Sequence, residues 1–331
     1  MPTIAEKRRA FRELHKSGCF VIPNPWDVGS ARYLQHLGFK ALATTSLGFA
    51  VSQGYRDNTI TREMALAHLH ELVAATDVPV NADFEGGFAD DPAGVAENVR
   101  LAIATGVAGL SIEDSTRDKT KPLYDFDLAV ERIGAARAAI DRVAPETMLV
   151  GRSEGFVAGA PDLDETIRRL KAYAAAGADC LYAPGIRTRE QIAALVEAVA
   201  PKPLNLVVGW ASDLTVKDIA ALGVRRISVG CGLARVAWGG FMRTAKLLAE
   251  EGRFDGLAQA VPVAEINAFF AADREKRTFS APTDREAGAE AEAKRAQIEA
   301  ALATAINAQK KDADGIVMDS SSWIISGKNP A

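Results

Sequence analysis

From residue 20 onward, short apolar or β-branched runs alternate eight times with longer segments of helical period. That alternation restricts the chain to folds built from repeated βα units with parallel strands. The runs fall at 20–23, 41–44, 78–83, 109–113, 148–152, 180–183, 204–208 and 226–229, with helical stretches at 61–76, 92–105, 127–143, 163–176 and 189–199 among them. Thr61 and Thr188 stand where a side-chain oxygen caps a first helical turn. Gly106, Gly177 and Gly223 stop helices just before the next strand. Eight parallel units favour a closed (β/α)8 TIM barrel over a doubly wound open sheet, which holds fewer strands and carries a glycine-rich dinucleotide turn after its first. Here the first run is followed by Asn24-Pro25-Trp26-Asp27, which has no such turn.

A chain of 331 residues accommodates one barrel plus an extension. The expected division is a catalytic barrel over 1–255 and a helical C-terminal extension over 256–331. Within the extension, 285–311 is rich in Ala, Glu, Lys and Gln, and Ile298, Leu302 and Ile306 recur at helical spacing, which predicts an amphipathic helix. Residues 316–318 and 323–325 suggest a small hairpin. A formal charge of -4 gives no footprint for nucleic acid. Cys19, Cys180 and Cys231 are scattered singly, so neither a disulfide framework nor a zinc cluster is indicated. The charged N-terminus lacks a signal-like apolar stretch and no later run is long enough to span a bilayer, so the expected location is the cytoplasm, without membrane partners.

The active site of such a barrel lies at the C-terminal ends of its strands, and polar residues concentrate there. Run three ends Asn81-Ala82-Asp83-Phe84-Glu85, run four Glu113-Asp114-Ser115 and run five Arg152-Ser153-Glu154. Mg²⁺ prefers octahedral oxygen ligands and keeps several waters, so Asp83 and Glu113 on adjacent strands are candidate ligands. The competing use of each acid is to cap the following helix. Carboxylates on two neighbouring strands and an arginine on the next argue against coincidence, whereas Asp114, Asp90 and Asp91 are read as loop or cap residues. His15, His36, His68 and His70 fall on expected helices away from the strand ends and are read as structural or solvated.

These strand ends belong to a series of motifs: Pro23-Asn24-Pro25-Trp26-Asp27, Thr45-Ser46-Leu47-Gly48, Gln53-Gly54-Tyr55-Arg56-Asp57, Asn81-Ala82-Asp83, Ser111-Ile112-Glu113-Asp114 and Gly151-Arg152-Ser153-Glu154-Gly155-Phe156. In this order and at these barrel positions, the chain resembles the isocitrate lyase and phosphoenolpyruvate mutase superfamily over residues 20–248. The resemblance implies that Asp83 is the direct Mg²⁺ ligand, with Mn²⁺ as a substitute, that Glu113 acts through water, and that Asn81 stands where the family has a second acid. It further implies that Arg152 holds a substrate carboxylate or oxyanion. The turn Thr45, Ser46, Leu47 and Gly48 would bind an anion, Asp57 would lie near the metal, and Asp27, which also suits a helix cap, would sit at the pocket floor. Tyr124, Phe84, Phe156 and Trp210 are candidates for the pocket wall. Members commonly form tetramers that exchange the helix after strand eight, and the resemblance implies the same homo-oligomer here; the apolar stretch from Ala234 requires burial, which closing its own barrel would satisfy equally well.

Two departures bear on the reaction. Isocitrate-type lyases carry an acid cysteine and a histidine after strand four, yet residues 114–124 contain neither. Phosphoenolpyruvate mutase-like members close the site with a lysine and an asparagine; Lys119 resembles the lysine, Lys121 replaces the asparagine, and the loop is shorter. The expected function is Mg²⁺-dependent cleavage of a C–C bond in a small 2-oxo or 2-hydroxy acid through an enolate. The alternatives are phosphonomutase or phosphonopyruvate hydrolase chemistry at a P–C bond, and a barrel that only binds a carboxylate.

Overall fold

The computed structural model describes residues 2–279, 311–312 and 315–316. Eight strands form one parallel sheet: β1 (Phe20–Ile22), β2 (Leu42–Ala43), β3 (Val80–Asp83), β4 (Gly109–Glu113), β5 (Met148–Arg152), β6 (Cys180–Tyr182), β7 (Leu204–Val207) and β8 (Arg226–Ser228). Each strand pairs with its sequence neighbour from β2 to β8, and β8 returns to β1. Across the remaining seam the Ala43 N–H donates to the Pro23 carbonyl at 3.1 Å, and Asn24 Nδ2 donates to the Thr44 carbonyl at 2.9 Å. The chain is thus a (β/α)8 TIM barrel, as its period required, and β4 and β5 have the expected bounds to the residue.

The helices are α1 (Ile4–Leu14), α2 (Val28–His36), α3 (Ser46–Ser52), α4 (Arg62–Ala75), α5 (Pro92–Ala104), α6 (Phe126–Val143), α7 (Leu163–Ala175), α8 (Arg189–Val199), α9 (Val216–Ala221), α10 (Gly232–Glu251) and α11 (Val263–Phe279). Thr61 and Thr188 cap as expected, accepting from the Met64 and Gln191 amides at 3.2 Å. Alternation along the strands divides the core. Ala82, Leu110, Ile112, Leu149, Leu181, Leu206 and Ile227 pack outward in the layer that holds Val99, Ile133 and Leu170 of the helices. The intervening positions point into the barrel. There α1 drives Phe11, fully buried, against Ile22, Ala43, Met148, Val150 and Cys180, and so plugs the N-terminal end. Basic residues of α1 hold the plug by capping neighbouring helix ends: Lys7 Nζ donates to the Val73 carbonyl at 3.0 Å and Arg8 Nη2 to the Ile103 carbonyl at 2.9 Å.

One compact unit comprises residues 1–273, and residues 274–331 form a second. In the first, Asp273 of α11 is ion-paired with Arg32 of α2, and Phe269 meets Tyr33 edge-on at 5.1 Å. In the second, strands β9 (Lys311–Asp312) and β10 (Gly315–Ile316) pair antiparallel. The predicted helix at 285–311 and most of the predicted hairpin lie outside the described residues. Helix α10 leaves most of its surface open: of its 20 residues only Ala234 is buried, while Val236 is 73% and Phe241 61% exposed.

Behind the strand ends, Asp114 is far more than the expected loop residue. It is 2% exposed and accepts from the Glu154 amide at 2.7 Å, Arg169 Nη1 at 3.1 Å and the Tyr173 hydroxyl at 2.6 Å, tying β4 and β5 to α7. Removing one partner of such a buried network leaves the others desolvated and unpaired. Asp114→Ala is therefore expected to lower unfolding free energy by about 3–5 kcal/mol, and Tyr173→Phe by only about 1 kcal/mol, in urea denaturation.

Candidate active site

At the C-terminal mouth, Asp83 ends β3, Glu113 ends β4 and Arg152 ends β5, with Glu113 and Arg152 paired in register. Arg152 Nη1 donates to Asp83 Oδ1 at 3.1 Å and stands 3.3 Å from Glu113 Oε2, while Nε bonds Glu154. Asp83 Oδ2 accepts from the Ser46 amide at 3.0 Å and the Ser46 hydroxyl at 2.9 Å. These groups line a cavity of about 440 Å³ together with Asp57, Tyr182 and Trp210.

Three carboxylates surround one guanidinium, so the cluster carries a formal surplus of two negative charges. Burial pushes Glu113 well above the usual carboxylate range, Arg152 pulls it back, and Glu154 and Asp83 add to the rise. Burial likewise raises Glu154. Asp57 is raised by burial and then by Asp83.

Glu85, absent from the sequence-based candidates, joins this field. It is 2% exposed, and burial lifts its carboxyl to about 7, with Arg117 opposing and Asp83 and Asp57 adding to the shift. Arg117 of the β4–α6 loop bonds Glu85 Oε2, whereas Oε1 is buried with no partner among the described residues. An oxygen-only donor set, a doubly negative surplus and an orphaned buried carboxylate oxygen fit a hard divalent cation such as Mg²⁺. Among the described residues no three His, Cys, Asp or Glu side chains already form a metal-holding group.

Of the expected site residues, Asp57, Asn81, Asp83, Glu113, Arg152, Thr45, Ser46 and Leu47 all line the cavity. Asn81 lies one pleat deeper than Asp83; its Nδ2 donates to the Ala82 carbonyl at 3.2 Å and its Oδ1 is buried without a partner among the described residues. Glu85 adds a further buried acid to the field of Asp83 without lining the cavity itself. Three expectations need correction. Asp27 caps α2, accepting from the Ser30 amide at 2.7 Å, and is not a lining residue. Gly48 also stands behind the wall: a Cβ there would come within 2.7 Å of Thr45 and 3.2 Å of Ala234, and its amide is taken by Thr45 Oγ1. Lys119 is exposed on the β4–α6 loop and does not line the cavity; Arg117 reaches inward in its place. Among the aromatic candidates Trp210 lines the wall, whereas Phe84 is fully buried core and Tyr124 bonds Asp90.

The family described as phosphoenolpyruvate phosphomutase matches residues 11–249. A solved structure from Burkholderia cenocepacia J2315, provisionally described as a lyase/mutase, shares 48% sequence identity, covers 81% of this chain and 97% of that one, and has a TM-score of 0.79. The oxaloacetate decarboxylase of Paraburkholderia xenovorans (strain LB400) is 32% identical over 67% of this chain and 74% of its own. A phosphonopyruvate hydrolase solved in complex with oxalate and Mg²⁺ shares 27% identity at a TM-score of 0.72, covering 82% of this chain and 97% of that one. With the matched segment spanning every strand of the barrel, the chain belongs to the phosphoenolpyruvate phosphomutase family of the isocitrate lyase and phosphoenolpyruvate mutase superfamily.

Proposed function

We propose that the protein is a Mg²⁺-dependent carbon–carbon lyase or decarboxylase that cleaves a small 2-oxo or 2-hydroxy acid through an enolate. The observation that carries this reading is the doubly negative cluster of Asp83, Glu113 and Glu154 around Arg152 at the mouth of the cavity. Asp83 would hold the ion directly, and Glu113 and Glu85 would hold it through water. Bound there, Mg²⁺ supplies an electrophile for the substrate carboxylate and the adjacent oxygen.

The chain's own groups do the rest. Arg152 fixes the angle between Asp83 and Glu113 and brings a permanent cation to the side where enolate charge develops. Ser46 holds Asp83 Oδ2 through two donors, which sets the face that Asp83 presents. Leu47, in the first turn of α3 where helical amides lack an in-helix acceptor, lines the same wall. The β4–α6 loop contains no Cys or His to act as a lyase acid, which favours oxaloacetate-type decarboxylation or retro-aldol cleavage of a substituted malate over tricarboxylate cleavage. Phosphonopyruvate is the discriminating control substrate for chemistry at a P–C bond.

We further propose a homo-oligomer, a tetramer by family resemblance, in which α10 is exchanged between barrels. Its support is the bare apolar face of α10, since contiguous exposed surface of this kind calls for a partner.

In a panel of oxaloacetate, alkylmalates and phosphonopyruvate, a chelator is expected to abolish turnover and added Mg²⁺ to restore it. Asp83→Asn should lower kcat/KM by about 100-fold or more with an unchanged circular dichroism spectrum; near-normal, chelator-resistant turnover would refute the assignment. Glu85→Gln should weaken Mg²⁺ binding by about 10- to 100-fold in calorimetric titration, as loss of a water-bridging partner does. Light scattering should report an oligomer that Val236→Lys combined with Phe241→Glu breaks into smaller species, and a wild-type monomer at high concentration would exclude exchange.

A further inference from the structure

The floor of the cavity holds a cation that the metal cluster does not use. Arg226 opens β8 on the inner face of the barrel, is 3% exposed, and lines the same cavity as Asp83 and Arg152. Its one hydrogen bond among the described residues runs from Nε to Asn205 Oδ1 at 2.8 Å, and Nη1 is buried without a partner. No described carboxylate lies within ion-pair distance of it. The titratable groups acting on it are Cys180 and Tyr182, whose own ionisation burial pushes up, so both stay neutral. His15, which senses Arg226, is held uncharged by burial that lowers it to about 3. A guanidinium taken out of water without a counter-ion is costly, and cavities that hold one are suited to an anion.

Strand register connects this residue to the proposed chemistry. Arg152 pairs with Tyr182, Tyr182 with Asn205 and Asn205 with Arg226, so all four lie on one row of rungs. Because the rungs run across tilted strands, the row descends from the last residue of β5 to the first of β8, by roughly 8 Å over three strand steps. The two arginines at its ends are in opposite states. Arg152 faces three carboxylates, whereas Arg226 faces amides and neutral rings. Beside Arg226, the Ser228 hydroxyl accepts from Asn205 Nδ2 at 3.0 Å and keeps its own hydrogen to donate.

Resting on the reading of the mouth as a site for a 2-oxo or 2-hydroxy acid, we infer that Arg226, with Ser228, is the subsite that binds the distal carboxylate of a diacid substrate and so selects diacids over monoacids. The 2-oxo or 2-hydroxy acid end lies at the mouth, and the distal carboxylate reaches down the barrel to the unneutralised guanidinium. Asn205 is a positioning residue: its Oδ1 orients the fork while leaving the charge uncompensated.

The test is calorimetric titration of the full chain with Mg²⁺ present, using oxalate as a ligand for the mouth alone and malate and 2-hydroxyglutarate as diacids of four and five carbons. In Arg226→Gln the tighter-binding diacid should lose about 10- to 100-fold in affinity, the scale of a charged hydrogen bond, while oxalate binds as in the wild type. Asn205→Asp keeps the guanidinium and its packing but gives it an internal counter-ion, and it should cost the same diacid a similar factor even if Arg226→Gln does not fold. Equal weakening of oxalate and diacid, or diacid affinity indifferent to both substitutions, would overturn the inference and leave the mouth intact. Failure of oxalate to bind the wild-type protein would overturn the reading of the mouth and this inference together.

Discussion

The guanidinium of Arg152 is the interaction on which the mouth of the barrel depends. Asp83, Glu113 and Glu154 come from three different strand ends, and each is largely withdrawn from water. Without the cation between them, mutual repulsion and desolvation would drive protons onto them or splay the strand ends apart. One guanidinium cannot formally neutralise three carboxylates, and burial, opposed by Arg152, holds Glu113 and Glu154 above the usual carboxylate range. The fold therefore holds a fixed electrostatic deficit in place, and a divalent cation is of the size and sign to fill it.

Keeping such a deficit requires rigid support from behind. Asp114 binds the backbone of Glu154 and the side chains of Arg169 and Tyr173. Arg132, 1% exposed, donates to the carbonyls of Glu113, Gly86 and Ala89, thereby joining the end of β4 to the loop that carries Glu85. Most of these buried donors find backbone carbonyls and one acid that lie outside the cavity, so the supporting ring holds the strand ends without discharging the site.

Much of this was legible in the sequence because the barrel repeats a local pattern. Strand bounds at 109–113 and 148–152 follow from apolar runs with a polar end, the first also preceded by the Gly106 stop, and Asp83, Glu113 and Arg152 follow from their place at the C-terminal ends. What was lost depends on where backbone leaves the regular period. Glu85 adopts a positive φ of 50°, just past the strand, so nothing in the strand pattern showed that its carboxyl would join the field of Asp83. Arg117, also at positive φ, bonds Glu85 where the family resemblance pointed to Lys119. Asp27 suits a helix cap as well as a pocket, and only packing decides between them. Arg226 carried no sequence signal, because an arginine early in a strand gives no sign of whether its neighbours will neutralise it.

Helix α10 has two ends with different duties. Its first turn supplies Cys231 and Arg235 to the cavity wall, and Ala234 presses on Gly48 behind the anion turn. Farther along, the same rigid rod presents Val236, Phe241, Met242 and Leu248 to the outside. A straight helix transmits a tilt from one end to the other, so anything that grips the far end acts as a lever on the near wall. Under the proposed exchange, occupancy of the outer face would be mechanically linked to the shape of the cavity, and affinity for small acids should vary with protein concentration.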